Sequence, residues 1–344
     1  MLKIKSVSNF LKELGKLNNE NESIRFFRGH SDCKYLLKPS IYRNNGLISN
    51  EYKIIRDALT YCPSDFNHEN SNFLKLVKLQ HYGYPTRLLD LTSNALVALY
   101  FSVQSDKEKG EDGEVIVFDI PYNDVKYEDS DKVSILSALA FHDSEFQDLN
   151  EMVKQSKEYR EIYQEIILKT QITKDLQGRL HGLEMIRNFA LASSAETTND
   201  LVEKHLAPKE EIRLFNDFNE IRRLIHIIRA DKPYFSPIID YKDLGKVIAV
   251  RGKLNNRRVE RQHGSFLLFG IDNNKIEPAR IPSKWIASEK NRLIIDKESK
   301  QKILKELTQL GISRQTLFPE LEAQANYVKE KYIINDTTSK RRLG

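Results

Sequence analysis

The chain has 344 residues, of which 40% are hydrophobic and 30% are charged, so it can bury one large core or two modest ones. Its 54 basic and 49 acidic side chains leave a formal net charge of +5. A protein that tracks a phosphate backbone usually concentrates its basic residues in a stripe, and here much of the excess lies in the ending Ser339-Lys340-Arg341-Arg342. The composition therefore permits contact with nucleic acid but does not require it.

The two cysteines, Cys33 and Cys62, are too few for a disulfide framework or for a zinc site built from cysteines. We interpret them as two buried small apolar residues in a reducing compartment. No apolar stretch approaches the length that crosses a bilayer, and the N-terminus has an amphipathic pattern rather than a signal-peptide core. The expected location is cytoplasmic, without contact with a membrane.

Strand-like and helical patterns alternate in the first part of the chain. Residues 1–20 are predicted to hold an N-terminal helix, and residues 21–130 the first half of an α+β core. The runs Ile24–Arg28 and Gly113–Pro121 are predicted strands, the second of them bounded by a polar turn and by its proline.

The middle of the chain has a helical pattern and is predicted to be a large insertion at residues 131–232. Strands return at residues 246–250, 264–270 and 292–295, within a second half of the core at residues 233–335. Residues 336–344 form a basic tail. Because the predicted strands come from both ends of the chain, we expect one functional unit, an α+β fold with a mixed β core and a large helical insertion.

The first motif is Phe26-Phe27-Arg28-Gly29-His30. An arginine that emerges from a buried strand offers a planar, permanently charged fork, and Gly29 leaves room for a phosphate to approach the backbone. The competing interpretation is that Arg28 pairs with a structural carboxylate at a strand end.

The second motif runs from Gln80 to Ser93 and precedes an apolar run, Ala95 to Val103. It predicts a strand that leads into the start of a helix, with Thr92 or Ser93 as the N-cap. Free backbone N–H groups at that helix start would form an anion site. The competing interpretation is a cap on a core helix with no further role.

Three side chains within this motif have separate interpretations. His81 fits the lining of a pocket about as well as a core position. We predict that Arg87 and Asp90 take part in a buried ion pair or in backbone hydrogen bonds. Asp90 is assigned a structural role. Replacing Asp90 by alanine should then lower stability by about 1–3 kcal/mol, because its partners would be left unsatisfied.

The third motif is Arg258-Val259-Glu260-Arg261-Gln262-His263-Gly264-Ser265-Phe266. If it enters the next strand in extended form, Glu260, Gln262 and Gly264 face one side, where a carboxylate and a carboxamide could bond sugar hydroxyls. The competing interpretation is a solvated edge strand with arginines along it.

These motifs resemble the FRG domain, a family marked by a Phe/Tyr-Arg-Gly motif and by a Gln-His-x-Gly-x-Pro-Thr-Arg-Leu-Leu-Asp run. The residues that carry the resemblance are Phe27-Arg28-Gly29 and the run Gln80 to Asp90. Gln262-His263-Gly264-Ser265-Phe266 is similar to a further Gln-x-Gly-x-Phe element, and the resemblance spans roughly residues 20–330. FRG-domain proteins occur in bacterial and anti-phage defence contexts.

The order of the motifs is also similar to that of ADP-ribosyltransferases, which implies an ADP-ribosyltransferase-like fold with NAD as the substrate. That similarity implies catalytic roles for Arg28, Ser93, Glu260 and Gln262 and no metal. The residues that it implies for binding the dinucleotide are Arg28, Gly29, His81, Thr86, Thr92, Ser93 and Tyr100. The chain departs from the pattern by Leu-Thr-Ser in place of Ser-Thr-Ser, and by having no unambiguous acid in the third motif.

The implied function is cleavage of the nicotinamide–ribose bond, by an ADP-ribosyltransferase or a NAD glycohydrolase with a defence or toxin role. Its macromolecular target, a protein or a nucleic acid, is left open. The alternative is a non-catalytic module that binds a nucleotide or nucleic acid in the same pocket, with 15 Tyr and 16 Phe available for stacking. A nuclease is less consistent with the sequence, because no paired-carboxylate metal signature is present.

The transferase and binding hypotheses share one geometric expectation. Arg28, His81, Thr92 or Ser93, and Gln262 or Glu260 should line a single concave site although they lie far apart in the sequence.

Overall fold

The computed structural model describes residues 3–17, 22–104, 110–143, 146, 148–169, 207–252, 257–286, 292–321, 324–325 and 329. Within these ranges no helix is long and apolar enough to cross a membrane. The predicted basic tail and residues 170–206 of the predicted insertion lie outside the described residues.

Helices occur along the whole described chain. They are α1 (Val7–Leu14), α2 (Asn45–Ser49), α3 (Glu51–Tyr61), α4 (Asn72–His81), α5 (Ala95–Val103), α6 (Asp131–Ala138), α7 (Leu149–Lys169), α8 (Ala207–Asn216), α9 (Asn219–Asp231), α10 (Tyr241–Leu244), α11 (Arg257–Arg261), α12 (Lys300–Gln309) and α13 (Arg314–Leu317).

Seven strands of the described chain form one mixed sheet in the order β4-β5-β6-β2-β1-β3-β7. The strands are β1 (Ser23–His30), β2 (Leu88–Thr92), β3 (Gly113–Pro121), β4 (Val125–Tyr127), β5 (Val247–Arg251), β6 (Gly264–Phe269) and β7 (Arg292–Ile295). Neighbouring strands are antiparallel except for the parallel pair β4 and β5. The sheet therefore takes strands from both ends of the chain, as the sequence predicts.

Alternation along the strands buries both faces of the sheet. Phe26 and Phe27 are neighbours on β1, and they belong to different apolar clusters because successive side chains point to opposite faces. The cluster around Phe26 includes Leu89, Ile116, Leu267 and Trp285.

The face that carries Phe27 is covered by two separate apolar clusters. One joins α1, α5 and α12 to β1, β3 and β7. The other joins α3, α4, α6 and α9 to β2, β5 and β6. Buried residues of α9 in this second cluster are Ile221, Leu224, Ile225 and Ile228, so the described helices of the predicted insertion pack onto the sheet.

The two halves of the sheet meet at a weak seam between β1 and β2. These strands pair at one register position, Phe27 with Thr92, whereas β1 pairs with β3 along its whole length. The strands consequently diverge on one side of Phe27, and a cleft opens between the two apolar clusters.

The predicted strands are confirmed, with β3 at the expected bounds and β5, β6 and β7 within about one residue of them. The extended entry into β6 is wrong, because Arg257–Arg261 forms helix α11. His263 then has a φ of +48°, which turns the chain from α11 into β6. Likeness to the ADP-ribosyltransferase fold stays a prediction, as do the domain boundaries.

Candidate functional site

The Gly83 turn fixes the position of Gln80 and His81 at the end of α4. Gly83 has a φ of +85°, the left-handed conformation that glycine adopts without strain. Its N–H donates to the carbonyl of Gln80, and the N–H of Tyr84 donates to the carbonyl of Leu79, each at 3.0 Å. This is a Schellman arrangement, which ends the helix sharply and leaves both polar side chains at its last turn.

Side-chain hydrogen bonds join that turn to the strand β2. The hydroxyl of Thr86, which is fully buried, donates to Oε1 of Gln80. The Gln80 amide nitrogen donates to Oδ1 of Asp90 at 2.6 Å. Thr86 therefore orients Gln80, and Gln80 orients the Asp90 carboxylate beside the cleft.

Arg28 bridges the seam where β1 and β2 diverge. Its Nη1 donates to the backbone carbonyl of Asp90 at 2.6 Å and lies 3.9 Å from Oδ2 of the same residue. The side chain is 14% exposed. Nη2 donates no hydrogen bond to any residue that the structure describes, so part of the guanidinium fork remains available to a ligand.

A buried relay holds the other side of Arg28. Its Nε donates to Nε2 of His30 at 2.9 Å, and Nδ1 of His30 lies 3.0 Å from Oε1 of Glu114. Because Nε2 accepts a hydrogen bond, we assign the proton to Nδ1, where it is donated to the carboxylate. Arg292 donates to both oxygens of Glu114. Burial lowers the pKa of His30, which keeps the ring neutral and able to accept.

The cleft has a volume of about 210 Å³ and is lined from five separate parts of the chain. Its polar lining comes from Arg28, Gln80, His81, Asp90, Thr92, Arg258 and Gln262. Its apolar walls include Phe27, Val77, Phe101, Val259 and Phe266. Polar groups concentrated between aromatic and aliphatic walls are typical of a small-molecule site.

The third motif contributes Gln262 to the cleft. The backbone carbonyl of Gln262 accepts a hydrogen bond from the Thr92 hydroxyl at 2.7 Å. The side-chain amide of Gln262 donates to the carbonyl of Leu317 at 3.1 Å. This leaves its Oε1 as an acceptor, and it ties the second motif, the third motif and α13 together.

The structure thus brings Arg28, Gly29, His81, Thr92 and Gln262 to one cleft. Ser93 is exposed and does not line the cleft, and Glu260 is exposed on α11. Tyr100 is buried in the apolar cluster under α5, and Thr86 acts through Gln80 rather than facing the cleft. The catalytic and binding roles of all these residues stay predictions.

The predicted N-cap is wrong by one or two positions. Asn94 caps α5, with its Oδ1 accepting from the N–H of Leu96 at 2.9 Å. The Thr92 hydroxyl accepts from the N–H of Asn94, and the Ser93 N–H donates to the carbonyl of His263. These bonds occupy the N–H groups of Ser93, Asn94 and Leu96, and the expected anion site at this helix start stays a prediction.

The buried ion pair and backbone hydrogen bond predicted around Arg87 and Asp90 are present at Arg87, but the two residues do not pair with each other. Arg87 is fully buried and pairs with Glu51 through Nε and Nη2, while its Nη1 donates to the carbonyl of Phe269. Asp90 is 64% exposed at the side chain and faces the cleft beside Arg28. The two residues point to opposite faces of β2, and the partner of Arg87 lies on α3, where no local pattern indicates it.

Gly29 has a packing role that the sequence did not indicate. A Cβ atom at this position would lie 1.9 Å from the carbonyl oxygen of Ala98 and 2.9 Å from the N atom of Ser102. The glycine therefore lets α5 lie directly against β1. Closeness to helix backbone is enough to require glycine here, and space for a phosphate stays a prediction.

Sequence reasoning gave no role at the cleft to Gln80, Asp90 or Arg258. Gln80 and Asp90 lie within the second motif, and their spacing gave no indication of the bond between them. A solvated edge strand is the competing interpretation for Arg258, but its guanidinium lies 4.7 Å from the ring centre of Phe318, which fixes it beside the cleft.

A comparison with protein-family models matches residues 23–111 to the FRG domain. The chain therefore carries an FRG domain, and the resemblance read from the first two motifs is confirmed over these residues. Neither the curated proteins nor the solved structures gave a significant match to the chain. Arg28, Gln80, His81, Asp90 and Thr92 lie within the matched segment, whereas Arg258 and Gln262 complete the cleft from outside it.

Proposed function

We propose that this FRG-domain chain binds NAD in the cleft at the β1–β2 seam and cleaves its nicotinamide–ribose bond. The observation that carries the proposal is the meeting of Arg28, Thr92 and Gln262 in one cleft. Arg28 lies on the first strand, Thr92 ends a strand that leads into a helix, and Gln262 lies two residues before β6, which pairs with β2. This arrangement agrees with the motif order that resembles ADP-ribosyltransferases.

Arg28 is the anion-binding group of the proposed site. Its free Nη2 would donate to the pyrophosphate, a contact of the charge-assisted kind. Burial lowers the pKa of Arg28, and the Asp90 charge opposes that shift; the guanidinium stays protonated at neutral pH because its ordinary pKa lies far above it. The guanidinium of Arg28 therefore keeps its positive charge and presents Nη2 to the cleft.

The remaining cleft residues suit the sugar and the base. Oε1 of Gln262 and the Asp90 carboxylate are acceptors for ribose hydroxyls. Phe101 and Phe266 provide aromatic surface for the nicotinamide ring. A volume of about 210 Å³ is smaller than most sites for whole ligands, so the cleft would enclose the nicotinamide riboside end while the adenosine lies outside. Positioning and electrostatics would supply most of the rate enhancement.

One observation favours the second candidate, a module that binds the dinucleotide or another nucleotide without cleaving it. The third-motif residue in the cleft is Gln262, and Glu260 is exposed on α11 outside it. A carboxamide can bond a ribose hydroxyl, but it cannot stabilise an oxocarbenium ion by charge as a carboxylate does.

Calorimetry with NAD, combined with an assay for released nicotinamide, tests both candidates. Wild-type protein should bind NAD, and Arg28→Ala should bind it roughly 10- to 100-fold more weakly, because one charge-assisted contact is lost. The matched control is Arg280→Ala, since Arg280 is 90% exposed and lies outside the cleft.

Release of nicotinamide by the wild type supports the enzyme, and binding without release supports the module. If folded wild-type protein does not bind NAD, both the NAD-cleaving enzyme and the NAD-binding module are rejected. Equal binding by Arg28→Ala and wild type would remove Arg28 from the site.

A further inference from the structure

A buried carboxylate without a hydrogen-bond partner lies behind the cleft residue His81. Both side-chain oxygens of Glu320 are inaccessible to solvent, although 32% of the side chain is exposed, and neither oxygen accepts a hydrogen bond from any residue that the structure describes. Oε1 of Glu320 lies 3.4 Å from Nε2 of His81. A buried carboxylate in this state is costly, so its retention next to a titratable cleft residue calls for an explanation.

The segment that carries Glu320 is anchored on both sides of the cleft. The carbonyl of Leu317 accepts from the Gln262 amide, and the carbonyl of Phe318 accepts from the Gln324 amide at 2.7 Å. The Phe318 ring packs edge-on against Phe101 and lies under Arg258. His81 is fixed independently by the Schellman turn at the end of α4. Two rigid supports therefore hold the carboxylate against the imidazole.

The charges around His81 keep its ring neutral at neutral pH. Burial lowers the pKa of His81 most, and the positive charges of Arg258 and Lys78 lower it further, whereas Glu320 raises it. The Tyr82 ring lies edge-on to the imidazole at 5.0 Å. A neutral ring that directs Nε2–H toward the Glu320 carboxylate has its lone pair on Nδ1.

We propose that His81 and Glu320 form an acid–base dyad, with His81 as the general base of the cleft and Glu320 as its positioning residue. The inference rests on the proposed function and extends it, because it supplies a proton acceptor that Gln262 cannot supply. A carboxylate that fixes the tautomer of a histidine and stabilises its protonated form is a recurrent arrangement in enzymes. The 3.4 Å separation is long for a hydrogen bond, and catalytic hydrogen bonds are often longer before the substrate is bound.

The proposed step balances with water as the co-reactant. Nδ1 of His81 takes a proton from water while the water oxygen bonds to C1′ of the ribose. The C1′–N1 bond breaks, and its electron pair stays on the nicotinamide nitrogen, so nicotinamide leaves as a neutral molecule. The imidazolium, stabilised by Glu320, then releases the proton to solvent. The hydroxyl of a macromolecular acceptor would react in the same way and give ADP-ribosyl transfer.

His81 is the cleft residue best suited to this role among those that the structure describes. The other ionisable groups of the lining are Arg28, Asp90 and Arg258. Arginine does not release its proton at accessible pH. Asp90 is exposed, and its Oδ1 already accepts a hydrogen bond from the Gln80 amide.

NMR titration of the histidine ring protons tests the dyad without any ligand. The signal of His81 is assigned by its loss in His81→Gln. Its titration midpoint should move to lower pH in Glu320→Gln, because the negative charge that favours the imidazolium is removed. Glu320→Asp, which keeps the charge, should stay closer to the wild type. Glu298→Gln is the matched control, since Glu298 is exposed and is not among the charges that shift the pKa of His81. An unchanged midpoint in folded Glu320→Gln would overturn the dyad.

Nicotinamide release tests the catalytic half of the proposal. His81→Gln should lower kcat by roughly 10²- to 10⁴-fold while NAD binding by calorimetry is retained. Glu320→Gln should lower kcat less and should move the acid limb of the kcat/KM profile to lower pH. Unchanged kcat and pH profile in both variants would overturn the catalytic role while leaving the proposed function intact. If the wild type releases no nicotinamide, the proposed cleavage fails, the base role fails with it, and the NMR result still decides the dyad.

Discussion

At the scale of single residues, Arg28 depends on an acceptor that must stay unprotonated. Its Nε–H donates to Nε2 of His30, and protonation of that ring would place two N–H groups against each other. Burial has the largest effect and lowers the pKa of His30 below its ordinary value of 6.5. The hydrogen bond and negative charge of Glu114 raise this pKa, but by less. The orientation of Arg28 is therefore coupled to pH.

This coupling predicts a pH-dependent stability. Below about pH 6.5 the unfolded chain binds a proton at His30 and the folded chain does not, so the free energy of unfolding should fall as the pH falls through and below this value. His30→Gln should reduce that dependence, since a carboxamide can accept from Arg28 and donate to Glu114 without titrating. Urea unfolding at pH 7.5 and 5.0 measures the difference, with exposed His68→Gln as the control. If the free energy of unfolding changes equally between the two pH values in wild type and in His30→Gln, the role of His30 in the relay is contradicted.

The exposure of Asp90 revises the expected effect of its removal. Because its side chain is 64% exposed, Asp90→Ala should lower the free energy of unfolding by no more than about 1 kcal/mol. The comparison is Asp119→Ala, which removes a buried carboxylate that accepts two hydrogen bonds from Arg25 and should cost about 1.5–3 kcal/mol. Denaturant midpoints that rank the two variants in the opposite order would restore a structural role for Asp90.

At the scale of elements, α5 packs closely against β1, the strand that forms one wall of the cleft. Gly29 has no side chain where the backbone of Ala98 and Ser102 passes, so the helix lies directly on the strand that carries Arg28. Any side chain at this position must push the two elements apart.

Gly29→Ala should consequently lower the free energy of unfolding by about 1–3 kcal/mol, because a methyl group would overlap backbone atoms that cannot move aside cheaply. Gly245→Ala is the matched control. Gly245 has a φ of −83°, and a Cβ there would meet its nearest atoms at 3.8 Å, so its replacement should be close to neutral. Thermal melts of both variants measure the effect, and equal melting temperatures would contradict the close approach.

The elements also show where local pattern predicts structure and where it does not. The strands β3, β6 and β7 could be predicted because apolar runs of strand length are bounded by turn residues. The helix α11 could not, because five residues rich in arginine fit either a short helix or a solvated strand. The chain leaves α11 through His263, whose left-handed conformation turns it into β6. No local pattern in the sequence predicts that conformation.

At the scale of the whole molecule, a buried charge cluster joins parts of the chain that lie far apart. Glu51 pairs with Arg87 and lies 3.4 Å from Nζ of Lys275, which donates to the carbonyl of His142 at 2.6 Å. Burial by itself would raise the pKa of Glu51, but the two cations outweigh burial and lower it. The cluster thereby connects α3, β2, the segment after β6 and the end of the α6 region.

Glu51→Gln should lower the free energy of unfolding by about 3–5 kcal/mol, because it leaves two buried cations without a counter-charge. The control is Asp217→Asn, which breaks the exposed pair with Arg222 and should leave the unfolding midpoint nearly unchanged. Similar midpoints for the two variants would show that the buried cluster contributes little.

The candidate site divides in the same way between what the sequence predicts and what only the fold supplies. Arg28, His81, Thr92 and Gln262 could be selected because unusual polar groups border apolar strands. The partners that orient them could not, since Glu114, Glu320 and Leu317 are brought to them by folding across large separations in sequence. Local pattern selects residues that face a cleft, and only tertiary structure shows what lies behind them.

The late position of β6 and α13 in the chain has a consequence for biosynthesis. β2 pairs with β6, and the cleft receives its third wall from Gln262 and α13. A nascent chain that has emerged only as far as β3 therefore presents β2 with an unpaired edge and no closed cleft. A polypeptide interrupted before residue 257 lacks Gln262, α13 and the Glu320 carboxylate. The proposed chemistry would therefore begin only after the residues through Glu320 have been synthesised.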